Sequence, residues 1–172
     1  MSDSPANILC KSCGLCCSGH LFAWTRLNAS ELDSAQSLGL NVIRDNPNLC
    51  GFTQPCSQWS GTCAVYLSPN YPRSCKTYKC TTLRRLLDED ISLPDALTVI
   101  QETLSLIREI EPLLPASSIP SFRERLMTYK EELESKGNGL DVLEYEFLYK
   151  AKVLLTYYED RFGMDDFIDY EK

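Results

Sequence analysis

The stretch that decides the fold is Cys10-Lys11-Ser12-Cys13-Gly14-Leu15-Cys16-Cys17. Two residues separate each of its first three cysteines, a spacing that lets successive thiolates curl around one ion or cluster. Gly14 supplies a position where φ can be positive, as a tight loop requires. Neighbouring side chains point apart, so Cys16 and Cys17 are not expected to bind the same ion, and the sequence leaves open which of them is the ligand. The run predicts one side of a four-cysteine site that a distant cysteine completes.

All nine cysteines of the chain precede residue 81. The second set is spaced more loosely, at Cys50, Cys56, Cys63, Cys75 and Cys80. It lacks the paired two-residue knuckles of zinc ribbons. Eight thiolates would fill two four-thiolate sites, or four would hold a single cluster, and spacing does not choose between these arrangements. In a reducing compartment this density of cysteines indicates metal binding rather than disulfides.

Eight of the nine cysteines are predicted to be metal ligands. These are Cys10, Cys13, Cys16, Cys17, Cys56, Cys63, Cys75 and Cys80. The roles of Cys50 and of His20, the single histidine, stay open. An all-thiolate set suits either Zn²⁺ or an iron–sulfur cluster such as [4Fe-4S], and the sequence does not decide between them.

Three blocks of this sequence carry a resemblance. After the first run come Cys63-Ala64-Val65-Tyr66 and then Pro72-Arg73-Ser74-Cys75-Lys76-Thr77-Tyr78, which leads to Cys80. Together they resemble the cysteine-cluster (CxxCxxCC) family of zinc- or iron-chelating domains over about residues 8–80. The run is also distantly similar to the cluster of flagellin lysine N-methylases, which are associated with a [4Fe-4S] centre. The resemblance implies a protein that binds metal through these cysteines.

The charge of the chain is divided unevenly. Residues 1–80 carry six Lys and Arg against four Asp and Glu, whereas residues 81–172 carry eleven against twenty. An acidic half is a poor surface for nucleic acid, because phosphate binding depends on clustered basic side chains. We expect no nucleic-acid partner, and this acidic half either keeps the protein in solution or docks a protein partner.

The sequence predicts an α-rich fold in three parts. Residues 1–80 are expected to form a small, irregular metal-binding module with short strands, one of them around Phe22–Trp24, and one helix at Glu31–Leu38. Residues 81–163 are expected to form an antiparallel three-helix bundle preceded by a short helix at Thr82–Leu87. Residues 164–172 form an acidic tail. We expect the first two parts to respond separately to a chelator, because each has its own source of stability.

The bundle is predicted from apolar residues at helical spacing. Its first helix has a capping signal at Ser92 and continues towards Pro112. The second runs from about 121 to 136, where Gly137 ends it, and the third from about 140 to 162 with Leu143 among its inward-facing residues.

No secretory signal or apolar run of spanning length is visible, so the cytoplasm is the expected compartment and no membrane partner is expected. A nucleotide-binding fingerprint is also missing, and a lone histidine makes a histidine-based catalytic dyad implausible. Binding of metal without catalysis is therefore the main hypothesis. The alternative is an iron–sulfur-dependent enzyme, methyltransferase-like or redox.

Overall fold

The computed structural model describes residues 4–46 and 48–164. Within these ranges the chain is helix-rich, with a small three-stranded sheet, as the sequence predicted. The helices are α1 (Pro5–Cys13), α2 (Leu32–Ser37), α3 (Arg73–Thr77), α4 (Thr81–Leu87), α5 (Leu93–Ile110), α6 (Phe122–Lys136) and α7 (Val142–Phe162). The strands are β1 (Trp24–Arg26), β2 (Val42–Ile43) and β3 (Gly51–Thr53). Short 3₁₀ turns at Ala29–Glu31 and Glu111–Leu113 adjoin α2 and α5.

The four helices predicted after residue 80 are present, and their ends follow the capping signals. Ser92 and Asp95 form a reciprocal capping box at the start of α5, with Asp95 N donating to Ser92 Oγ at 3.3 Å. An equivalent box at Asp141 and Glu144 opens α7, and Gly137 ends α6. Because these caps satisfy backbone groups that the helix itself leaves unpaired, the boundaries were readable from sequence.

The cysteine run was predicted as a loop, and this prediction was wrong for its first half. Residues up to Cys13 are helical, so the first eighty residues contain three helices rather than one. Ser4 caps α1 by accepting a hydrogen bond from Asn7 N at 3.3 Å, and Pro5 occupies the first helical position. Gly14, at φ 64°, ends the helix in the left-handed conformation. A cap, an N-terminal proline and a terminal glycine are together sufficient to define a short helix.

The sheet is antiparallel, in the order β1-β3-β2. Its first strand begins at Trp24, two residues later than the sequence predicted. Gly51 pairs with Arg26 at a very close approach of β1 and β3, where an added Cβ would lie 2.0 Å from the carbonyl oxygen of Thr25. Glycine is therefore required at position 51, and the neighbouring Phe52, 1% exposed, anchors the sheet in a small core.

Apolar side chains form two separate cores. The smaller lies beneath the sheet and consists of Leu27, Ala35, Leu40 and Phe52. The larger joins α4, α5, α6 and α7, and it also includes Leu9, Leu15 and Leu21 from the cysteine-rich half. Helix α1 packs directly against α4 and α5.

The larger core links the stability of the helical half to that of the cysteine-rich half. Leu9, Leu15 and Leu21 are at most 2% exposed and contribute to the same buried cluster as the long helices. A change that unfolds the cysteine run would therefore remove part of the core of the long helices. We therefore expect the two halves to respond together to a chelator, and not separately. The division at residue 80 stays a prediction about domain organisation.

Three further expectations concern the helical half. Leu143 was predicted to face inward, but it is 61% exposed in the first turn of α7. The acidic tail, apart from Met164, lies outside the described residues. Among the residues that are described, no helix combines the length and apolar character needed to cross a membrane.

Candidate metal centre

A cavity of about 470 Å³ lies where α1, α4 and the loops of the first half meet. Seven cysteines line it, namely Cys10, Cys13, Cys16, Cys17, Cys63, Cys75 and Cys80. Cys10 is exposed and the others are half-buried, because the cavity leaves part of their surface uncovered. The structure thus gathers residues up to seventy positions apart in sequence around one space.

The first group of cysteines belongs to the helical side of this cavity. Cys10 and Cys13 lie on α1, and Cys80 is the N-cap residue of α4, which packs against α1. Cys13, Cys16 and Cys80 all contact the larger core. Partial burial of the Cys10 thiol, and then the neighbouring Cys80, raise the pKa of Cys10. Burial raises the pKa of Cys16 well above its usual value, with further contributions from Cys13, Cys17, Cys80 and Cys10.

The second group lies on the side of the sheet. Cys56 N donates a 2.7 Å hydrogen bond to the carbonyl oxygen of Cys17, and Cys63 pairs with Trp59 in an isolated β-bridge. Cys75 lies on α3, and both Cys56 and Cys75 contact the smaller core. Burial raises the pKa of Cys17 to about 12, with additional contributions from Cys56, Cys75 and Cys63.

Cys50 and His20 do not join either group. Cys50 is half-buried and is not among the residues that line the cavity. The ring of His20 lies 5.0 Å from that of Phe122, and its Nδ1 forms a very short hydrogen bond with Ser18 Oγ. Burial lowers the His20 pKa, as expected for an imidazole packed against α6. Neither Cys50 nor His20 lines the cavity, whereas seven of the eight predicted ligands do.

Backbone donors and cations surround the thiols. Leu83 N donates a hydrogen bond to Cys80 Sγ at 3.4 Å. Burial raises the pKa of the Cys80 thiol, and this hydrogen bond and the charge of Arg84 partly offset that increase. Lys11 and Arg26 line the cavity. Hydrogen bonds and positive charge of this kind stabilise thiolate sulfur and tune any metal bound to it.

Two aromatic residues at the cavity were missed by reasoning from the sequence. The Trp59 ring lies against Gly14, where an added Cβ would be 2.0 Å from Trp59 Cζ2. Tyr71 lines the cavity and its side chain hydrogen-bonds to Cys75, which slightly offsets the raised pKa of that thiol. From the composition of residues 41–80, both were predicted only to be aromatic residues in loops. Contacts with residues distant in sequence bring them to the cavity.

The thiols surround a space rather than a single point. In the described part of the chain, no three or more His, Cys, Asp or Glu side chains are placed so as to hold a metal ion. A single Zn²⁺ ion draws its sulfurs to about 2.3 Å, and hence to within about 3.8 Å of each other. A sulfide-bridged cluster keeps its cysteine sulfurs farther apart, since its own atoms fill the centre. The all-thiolate donor set is of a kind that binds either Zn²⁺ or such a cluster.

Comparison with known proteins returned no matches. No family model matches the chain, and neither a curated protein nor a solved structure is significantly similar to it. The functional argument therefore rests on the residues and their arrangement.

Proposed function

We propose that this chain is a metal-binding protein that holds iron–sulfur clusters of the [4Fe-4S] type on cysteine thiolates. The observation that carries the proposal is the cavity of about 470 Å³ lined by seven of the eight cysteines predicted as ligands. The eighth, Cys56, is tied to Cys17 by a backbone hydrogen bond of 2.7 Å. Thiolates are the usual ligands of iron–sulfur clusters.

The charge around the cavity supports this proposal. Four thiolates on a metal centre leave net negative charge, which buried surroundings destabilise unless cations and amide donors compensate. Lys11 and Arg26 at the cavity wall and Leu83 N at the Cys80 sulfur supply such compensation. Surrounding apolar and aromatic side chains, among them Leu9, Phe22 and Trp59, would limit the access of water to a bound cluster.

A protein partner is proposed for the helical half. Exposed apolar residues lie along the first two turns of α7, where Val142, Tyr145 and Tyr149 are 82%, 58% and 71% exposed. They stand in a half of the chain that carries net negative charge. Exposed aromatic side chains are enriched where proteins bind each other, and the acidic surroundings favour a partner with a basic surface.

The alternative of an iron–sulfur-dependent enzyme stays a hypothesis. It requires a reversible redox couple or affinity for a methyl donor. A redox-silent zinc centre with no affinity for S-adenosylmethionine would eliminate it while leaving thiolate metal binding in place.

Metal analysis of the full chain, purified without oxygen, tests the proposal. Iron and acid-labile sulfide are expected in about equal amounts, with zinc far below one ion per chain. Zinc without sulfide would contradict the cluster and retain the thiolate site. Protein that contains neither iron nor zinc, and that takes up neither from solution, would contradict metal binding altogether.

A further inference from the structure

We infer that the chain holds two separate metal centres, divided at the peptide bond between Cys16 and Cys17. The first would be bound by Cys10, Cys13, Cys16 and Cys80, and the second by Cys17, Cys56, Cys63 and Cys75. This inference rests on the proposed function, and it adds the number of centres and the ligands of each. Each centre receives four thiolates, which is the complete cysteine set of one [4Fe-4S] cluster or one structural zinc ion.

Packing separates the two sets of cysteines. Cys13, Cys16 and Cys80 contact the larger core, which is built on the long helices. Cys56 and Cys75 contact the smaller core, which lies beneath the sheet. The two sets of thiols therefore contact two distinct clusters of buried residues.

Local backbone structure completes each set. Cys10 lies one helical turn before Cys13 on α1, so both side chains share a face of that helix, and α4 brings its N-cap Cys80 to α1. On the other side, the carbonyl of Cys17 accepts from Cys56 N, and Trp59 N donates to the carbonyl of Cys56 at 3.0 Å. The bridge between Trp59 and Cys63 then holds Cys63 beside the same turn.

Two centres would explain why the run ends on the adjacent cysteines Cys16 and Cys17. Consecutive Cα atoms are about 3.8 Å apart, and neighbouring side chains diverge, so two adjacent cysteines can serve two neighbouring centres but not readily one. Two-cluster ferredoxins divide a cysteine run in a comparable way, with the last cysteine binding the other cluster. The two centres in this chain would therefore be close enough to interact magnetically.

Single serine substitutions test the division. The variants are Cys80→Ser for the first centre, Cys75→Ser for the second and Cys50→Ser as a control, all purified without oxygen as full chains. Wild-type protein should carry about eight iron and about eight sulfide. Cys80→Ser and Cys75→Ser should each lose about half of the metal, whereas Cys50→Ser should lose none. If the metal is zinc, the same halving applies to about two ions per chain.

Distinct outcomes separate this inference from the proposed function. A wild-type protein with only one centre would overturn the division and leave metal binding intact. The same holds if both variants lose all metal while they keep their far-ultraviolet helical signal. Wild-type protein without metal would contradict the proposed function itself.

If a variant fails to fold, electron paramagnetic resonance of the reduced wild-type protein decides the matter. A broadened signal from two interacting clusters supports the division. An isolated single-cluster signal, at an iron content of about four per chain, contradicts it.

Discussion

Removal of the metal is expected to unfold the cysteine-rich segment and the long helices in one transition. Structural metal supplies about 10–16 kcal/mol in zinc-binding peptides, which equals or exceeds the whole stability of a typical domain of about 5–15 kcal/mol. Leu9, Leu15 and Leu21 lie in the core of the helical half, so release of the cysteine run exposes that core. The helices should lose most of their order with the metal.

Two spectroscopic signals report on the two halves separately. Both tryptophans, Trp24 and Trp59, lie in the cysteine-rich half, so their fluorescence follows that segment. Far-ultraviolet circular dichroism follows the helices, of which α5, α6 and α7 are the longest. During titration with a chelator the two signals should change together. A fluorescence change at constant helical signal would contradict the coupling, and restoring the metal controls for irreversible damage.

Substitution of Gly14 by alanine is expected to have the second large effect. At φ 64° an alanine pays about 1–2 kcal/mol for the left-handed conformation. Its Cβ would also lie 2.0 Å from Trp59 Cζ2, so the indole ring must be displaced from its place beside the cysteine run. We expect a total loss of more than about 3 kcal/mol, together with reduced metal content, because the bridge between Trp59 and Cys63 is disturbed.

Gly137 provides a control for positive φ without a neighbouring side chain. It also ends a helix at φ 64°, with ψ at −114° rather than −1°, and no atom lies within 4 Å of an added Cβ. Gly137→Ala should therefore cost only its conformational term and leave the metal in place. Chemical denaturation of both variants, with metal analysis of each, measures the difference. Full metal content in both variants would show that the contact between Gly14 and Trp59 contributes nothing to the metal site.

A double-mutant cycle sharpens this comparison. Replacing Trp59 by leucine removes the ring atoms that meet the added Cβ, so Gly14→Ala should cost less in that background. Additive effects of the two substitutions would contradict direct contact between positions 14 and 59.

The helical half was largely predictable from sequence because its signals are local. Ser92 marks a helix start, Gly137 marks an end, and apolar residues recur at helical spacing between them. Leu143 was misplaced because helical periodicity does not show where neighbouring helices stop covering a face. Its position in the first turn of α7 leaves it 61% exposed.

The cysteine-rich half was predictable in its chemistry but not in its geometry. The sequence indicated eight ligands and showed that Cys16 and Cys17 should diverge, yet it did not divide the cysteines into groups. That division depends on contacts such as α1 with α4 and Cys17 with Cys56, which join residues about forty to seventy positions apart. Helix α1 was not predicted because its cysteine spacing is also typical of metal-binding loops, although Ser4 and Pro5 form a capping signal.

X-ray absorption at the iron and zinc edges, on full-length protein purified without oxygen, tests the central claim most directly. We predict an iron site with a first shell made only of sulfur, at about 2.3 Å, and a second shell of iron that identifies a sulfide-bridged cluster. Substitution of Cys50 should leave this spectrum unchanged, since Cys50 is not one of the eight proposed ligands. A first shell of oxygen or nitrogen around either metal would contradict the claim that the thiolates lining this cavity bind metal.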